Sequence, residues 1–253
     1  MNELFDLTGR IAIVTGASRG LGKAIALGLA RAGADVVVAS RTLSDCEVVA
    51  GEIEALGRRA LAVACDMGRL DEIDRLVERA YERFGRCDVL VNNAGVTQAP
   101  LPLTETSGEF FDALYAVNVK GPMHLASRVA PRMGEAGGGA IVNVVTMGAI
   151  KPGGYLGMYC SSKAALKALV RVMAEEWAPL GVRVNAVAPG PFLTDMLHDL
   201  EKSTPGFIEH SAGVTLQKRV ADPQEIVGPV LFLASDAASF VTAQTLSVCG
   251  GAT

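Results

Sequence analysis

The run Ile11-Ala12-Ile13-Val14-Thr15-Gly16-Ala17-Ser18-Arg19-Gly20-Leu21-Gly22 decides how the rest of this chain is read. Its first five residues carry no charge and form a candidate buried strand, and three glycines then fall where a helical pattern begins. Glycine allows positive φ and lets the backbone approach a ligand with no Cβ in the way. The amides of such a turn, together with the N-terminus of the following helix, can hold a phosphate. Three glycines alone would mark only a tight turn. The flanking strand and the amphipathic stretch near 20–32 make this a nucleotide cradle, with Gly16, Ser18, Arg19, Gly20, Leu21 and Gly22 as its candidate residues.

Outward from that turn, short apolar runs alternate with amphipathic stretches. Strands are expected at Ile11 to Thr15, Val36 to Ser40, Ala60 to Cys65, Val89 to Asn92, Ile141 to Val145, Arg183 to Ala188 and Thr245 to Val248. Helices are expected near 20–32, 44–56, 70–84, 107–135, 158–179 and 225–235, the fifth with an apolar stripe of Leu166, Leu169, Val170, Met173 and Trp177. Strands rich in Val, Ile and Ala, with helices between them, point to parallel pairing buried on both faces. The expected fold class is therefore α/β: a Rossmann-type, doubly wound parallel sheet of about seven strands flanked by helices, with residues 1–253 forming one domain. Residues 191–214 break the alternation with weak periodicity and are expected to be a flap over substrate, where Met196, Leu197, Leu200 and Phe207 suggest a partly apolar ligand.

Composition narrows the function classes. Half the residues are hydrophobic (50%), 20% are charged, and 23 Lys plus Arg against 27 Asp plus Glu give a net charge of -4. No basic surplus is available for a nucleic-acid partner. The apolar runs fall well short of the 18 or so residues a membrane span needs, and the N-terminus lacks a secretory pattern, so a cytoplasmic protein is expected. Cys46, Cys65, Cys87, Cys160 and Cys249 are scattered, and none has a His at metal-ligand spacing; free thiols and no metal site are expected.

The strand ends refine the ligand. An acid closing the second strand would accept the adenosine ribose hydroxyls and repel a 2′-phosphate. Here that strand ends in Ser40 and Arg41, and Arg19 stands nearby in sequence logic, so guanidinium groups replace the acid and NADP(H) is expected over NAD(H). Asp66, with Met67 beside it, follows the third strand and is placed for the adenine amino group. Asn93, Ala94 and Gly95 follow the fourth, where the sheet edge meets the cofactor.

Tyr159 and Lys163 are four residues apart, on one face of the expected helix. A phenol with a pKa of about 10 trades protons poorly near neutrality, and a fixed ammonium close by would lower it. Lys163 is thus expected to make Tyr159 a usable acid or base.

Taken together, Thr-Gly-x-x-x-Gly-x-Gly at 15–22, Asp66, Asn-Asn-Ala-Gly at 92–95, Asn118, Tyr-x-x-x-Lys at 159–163 and Pro189-Gly190 resemble the short-chain dehydrogenases/reductases along essentially the whole chain. The resemblance implies hydride transfer between a nicotinamide and a small carbonyl or alcohol substrate, with Tyr159 as acid/base and Lys163 holding the nicotinamide ribose. It implies that Asn118 holds a water in a proton path, that Thr194 contacts the carboxamide, and that the helices carrying Asn118 and Tyr159 form the contacts of a homotetramer. Two positions depart from the family's pattern. Thr146 stands where a serine normally binds the substrate oxygen; it keeps the hydroxyl but adds a methyl that stiffens χ1. Cys249 stands where an acid is common and bears on a local subunit contact more than on chemistry. The leading reading is an NADP(H)-dependent ketone reductase. An NAD-dependent alcohol or polyol dehydrogenase, and a nucleotide-binding sensor or scaffold with little catalysis, stand as alternatives.

Overall fold

The structure, a computed structural model, describes residues 3–97 and 99–253. Seven strands form one sheet: β1 (Ile11–Thr15), β2 (Asp35–Ser40), β3 (Ala60–Ala64), β4 (Val89–Asn92), β5 (Gly139–Val144), β6 (Val182–Pro189) and β7 (Thr245–Val248). All pair in parallel, in the order β3-β2-β1-β4-β5-β6-β7. Each lies within two residues of its expected bounds. β2 starts one residue early, on Asp35, because Arg59 satisfies that buried carboxylate through its main-chain N (2.8 Å) and Nε (2.8 Å). The strand's polar start is thereby compensated.

Strand side chains alternate between two apolar layers, as a period of two requires. Ala12, Val14, Val36 and Val38 meet α1 (Gly20–Arg31), α2 (Leu43–Ala55) and the late α9 (Val227–Ala234) on one face. Ile13, Val37 and Leu90 meet α3 (Leu70–Phe84), α5 (Gly121–Glu135) and α6 (Gly157–Trp177) on the other. Both faces are covered, so the central strands β1 and β4 are buried throughout. Buried asparagines stitch one half of the sheet: Asn92 Nδ2 donates to Asn143 Oδ1 (3.0 Å), Asn143 Nδ2 to the Asn185 carbonyl (3.4 Å), and Asn185 Nδ2 to the Val241 carbonyl (2.8 Å).

Two stretches differ from expectation. The helix expected over 107–135 is divided into α4 (Gly108–Tyr115) and α5 by a π-helical turn, Ala116–Lys120. Pro122 supplies no N–H to the Asn118 carbonyl four residues earlier, and the Gly121 N–H instead reaches back five residues to the Ala116 carbonyl. Residues 191–214 hold two short helices, α7 (Asp195–Ser203) and α8 (Phe207–Gly213), separated at Thr204-Pro205-Gly206, with Gly206 at φ 86°. Leu197 is buried and fixes α7 to the body, whereas Leu193 and Met196 are exposed. Leu197, expected to face substrate, therefore serves packing.

Chain order reverses between β1 and β4. In an open parallel sheet that switch opens a crevice at the carboxyl ends of the strands. The glycine turn, Ser40, Asn93, Thr146 and Gly190 all follow or end strands at this edge.

Candidate active site

The glycine turn is built by close approach. Gly16 and Gly20 have φ of 62° and 54°, the left-handed region that disfavours a side chain. A Cβ on Gly16 would lie 2.8 Å from Ala94 Cα, and one on Gly22 would run into the Gly16 carbonyl oxygen and the Asn93 amide. Asn93 explains the tightness: its Nδ2 donates to the carbonyls of Thr15 (2.9 Å) and Gly16 (3.1 Å), while the main-chain N–H groups of Asn93 and Ala94 both donate to Thr15 Oγ1 (3.1 Å each). Asn93 was expected to line the cofactor, but its amide braces the turn. Arg19 occupies the N-cap of α1 in an extended conformation and makes no side-chain hydrogen bond to the first turn, so the helix N-terminus is left for an anion. This cradle fits the pyrophosphate of a dinucleotide.

Around it, Ser40 Oγ donates to the Thr42 carbonyl (3.3 Å) and lies 3.0 Å from Cys46 Sγ, and Arg41 is exposed. The Arg19 guanidinium reaches α7, with Nη1 3.4 Å from Asp195 Oδ2. Asp66 Oδ1 accepts from the Gly68 N–H (2.8 Å), while the Asp66 N–H donates to Glu72 Oε2 (2.8 Å), which orients the carboxyl group after β3. The Met67 side chain is buried in the core, so only its backbone can meet a ligand.

The catalytic candidates converge one step further along the crevice. Lys163 is 3% exposed, and its Nζ donates to the Val144 carbonyl of β5 at 2.9 Å. Burial pushes its pKa down to about 8. A Cβ on Gly95 would sit 3.0 Å from that Nζ and 3.3 Å from Asn118 Oδ1, so glycine at 95 makes room for both. Burial pushes the Tyr159 phenol up to about 12, opposed by a hydrogen bond with Thr146. This corrects the expected influence of Lys163: in the protein alone its ammonium is held against the β5 main chain, and burial of the Tyr159 phenol outweighs the Thr146 hydrogen bond.

Asn118 is fully buried, and its side chain is committed. Oδ1 accepts from the Val96 N–H (2.9 Å), and Nδ2 donates to the Val96 carbonyl (2.9 Å) and to Ser162 Oγ (3.0 Å). Ser162 Oγ donates in turn to the Tyr159 carbonyl (2.8 Å). The amide therefore clamps the segment after β4 to α6. Sequence reasoning missed Ser162; a serine three residues after Tyr159 carries no signal until the π-helical turn sets Asn118 beside it.

Thr146 follows β5 in extended conformation, with Oγ1 accepting from the Gly148 N–H (3.3 Å) as well as bonding Tyr159. The hydroxyl is thus aimed at the tyrosine despite the extra methyl. If it also holds a substrate oxygen, Thr146→Ala should lower kcat about 100-fold, the cost of one oriented donor, with Thr146→Ser within a few-fold of wild type. Steady-state turnover checks this, and an unimpaired alanine variant would remove Thr146 from the site.

Thr194, expected at the carboxamide, donates through Oγ1 to the Phe192 carbonyl (3.4 Å) and turns its methyl toward Gly20, where a Cβ would be 3.6 Å away. Pro189 ends β6. A Cβ on Gly190 would meet Cys249 Cα at 2.7 Å, so glycine at 190 lets this turn pack directly against residue 249. All five cysteines are buried and free. Among the described residues, no group of three or more His, Cys, Asp or Glu is placed to hold a metal, and no helix is long and apolar enough to cross a membrane.

Comparison with known proteins agrees with this geometry. The family profile described as Enoyl-(Acyl carrier protein) reductase matches residues 16–253. The 7α-hydroxysteroid dehydrogenase of Escherichia coli (strain K12) is 40% identical over 245 residues, covering 97% of this chain and 94% of its own. A solved 7α-hydroxysteroid dehydrogenase complexed with NADH and 7-oxo glycochenodeoxycholic acid superimposes with a TM-score of 0.93 at 39% identity, covering 99% of this chain and 97% of the other. L-sorbose reductase from Gluconobacter frateurii, complexed with NADPH and L-sorbose, gives 0.93 at 32% identity over 98% of both chains. With the glycine cradle, Asn118, Tyr159 and Lys163 set around one crevice, the chain belongs to the short-chain dehydrogenase/reductase family.

Proposed function

We propose that this protein reduces small, partly apolar carbonyl compounds with NADP(H), and runs in either direction according to the cofactor ratio. The observation that carries the reading is the Thr146–Tyr159 hydroxyl pair at the crevice, with Lys163 directly behind it against Gly95. A bound nicotinamide supplies a hydride to the carbonyl carbon, or takes one from the alcohol. Thr146 and Tyr159 hold the substrate oxygen through their hydroxyls. Tyr159, with its pKa pushed up to about 12, keeps its proton at neutral pH, the state a general acid needs for reduction. Lys163, near 8, is poised to return a proton after each turnover. The helices α7 and α8 cover the crevice as a flap, and the exposed Leu193 and Met196 give it an apolar rim.

The relatives divide on the nucleotide: one is complexed with NADH and the other with NADPH. In this chain the end of β2 supports the phosphorylated form, because Ser40 and Arg41 stand where an acid would repel a 2′-phosphate. A hydrogen bond to a charged group contributes about 1.5–3 kcal/mol, so KM for NADPH should lie at least about tenfold below that for NADH. Equal constants would overturn the assignment and direct the search to alcohol and polyol oxidation.

A further inference from the structure

We infer that Asp195, on the flap, sets how strongly the protein prefers a 2′-phosphorylated nucleotide, by competing for the Arg19 guanidinium. The inference rests on the NADP(H) reading above and adds a residue from outside the glycine turn and β2. Arg19 lies between two claims. On one side the turn is tied to β2 by the Ala17 N–H, which donates to the Ala39 carbonyl at 3.1 Å, so Ser40 and Arg41 flank the same turn. On the other side α7 begins directly above it: Thr194 faces Gly20, and Asp195 is the next residue. Arg19 Nη1 and Asp195 Oδ2 are 3.4 Å apart.

The position of Asp195 is set by its surroundings. The Leu197 and His198 N–H groups both donate to the Thr194 carbonyl (3.0 Å each), and buried Leu197 anchors that first turn. Asp199, one turn on, is engaged by Lys202 at 2.9 Å, which leaves Asp195 as the acid of α7 in contact with Arg19. The contact is single and long, and the Arg19 and Asp195 side chains are 71% and 58% exposed, so the pair is weak. A phosphate dianion, able to take two guanidinium N–H groups at once, displaces the carboxylate. That displacement costs NADPH affinity and leaves NADH affinity untouched, because only the former carries the phosphate.

The test is a fluorescence titration of wild type, Asp195→Asn, Arg19→Gln and the double variant with NADPH and with NADH. Asp195→Asn should tighten NADPH about two- to fivefold, the range of an exposed ion pair, with NADH unchanged. The gain should fade near 1 M salt, where the screening length is about 3 Å. In the Arg19→Gln background the same change should leave the NADPH-to-NADH ratio where it was. If Arg19→Gln weakens NADPH but Asp195→Asn does not strengthen it, the role of Asp195 is overturned while the NADP(H) reading stands. If Asp195→Asn moves both nucleotides equally, the acid acts only on the dipole of α7, and the inference fails. Wild type binding NADH as tightly as NADPH, with Arg19→Gln silent, would overturn the cofactor reading itself.

Discussion

Tyr159→Phe should bind NADPH as tightly as wild type and lose about 10²- to 10⁴-fold in turnover, the range general acid catalysis supplies. The substitution keeps the ring and its packing and removes only the hydroxyl held by Thr146. Binding is expected to survive because the cradle is built from β1, α1 and the segment after β4, none of which the phenol supports. Cofactor titration and single-turnover reduction separate the two effects; an active phenylalanine variant would end the acid assignment. The same pair fixes the pH dependence. Below about 8 Lys163 is protonated, and Tyr159 keeps its proton up to about 12. For reduction, kcat/KM should therefore hold through neutrality and fall as pH rises past about 8, following the lysine. A profile flat to pH 10 would show that proton return does not pass through Lys163.

Gly22→Ala should abolish measurable nucleotide binding and lower Tm by about 2–12 °C. The new methyl would meet the Gly16 carbonyl oxygen and the Asn93 amide. Neither can move cheaply: Gly16 is pinned at φ 62°, and Asn93 Nδ2 is committed to two carbonyls. Overpacking of this kind costs about 1–3 kcal/mol, and in a chain of this size each kcal/mol moves Tm by about 2–4 °C. Gly51, inside α2, is the matching control. A Cβ there meets nothing within 4 Å, so Gly51→Ala should keep binding intact and leave Tm level or slightly raised. Differential scanning calorimetry with NADPH titration reads both variants, and a Gly22→Ala protein that melts and binds like wild type would refute this account of the cradle.

Local pattern made most of the fold legible. Apolar runs with no alternation, such as Val36-Val37-Val38, have one stable destination, a strand covered on both faces, and glycines at 16, 20 and 22 admit backbone that other residues resist. Helix spacing likewise put Tyr159 and Lys163 on one face before any contact was known. What those signals lack is the environment of a side chain. The shift of Tyr159 upward and of Lys163 downward comes from burial by elements distant in the chain, and the direction of the Asn93 amide from a glycine turn 77 residues away. The π-helical turn that seats Asn118 beside Ser162, and the α7 acid that meets Arg19, arise from packing as well. The sequence alone determined the sheet, the cradle and the residue types at the crevice, because those follow from local backbone preference and hydrophobic period. Only the tertiary structure decided which polar groups face one another and in which protonation state, because desolvation and hydrogen bonding depend on neighbours that chain order does not reveal.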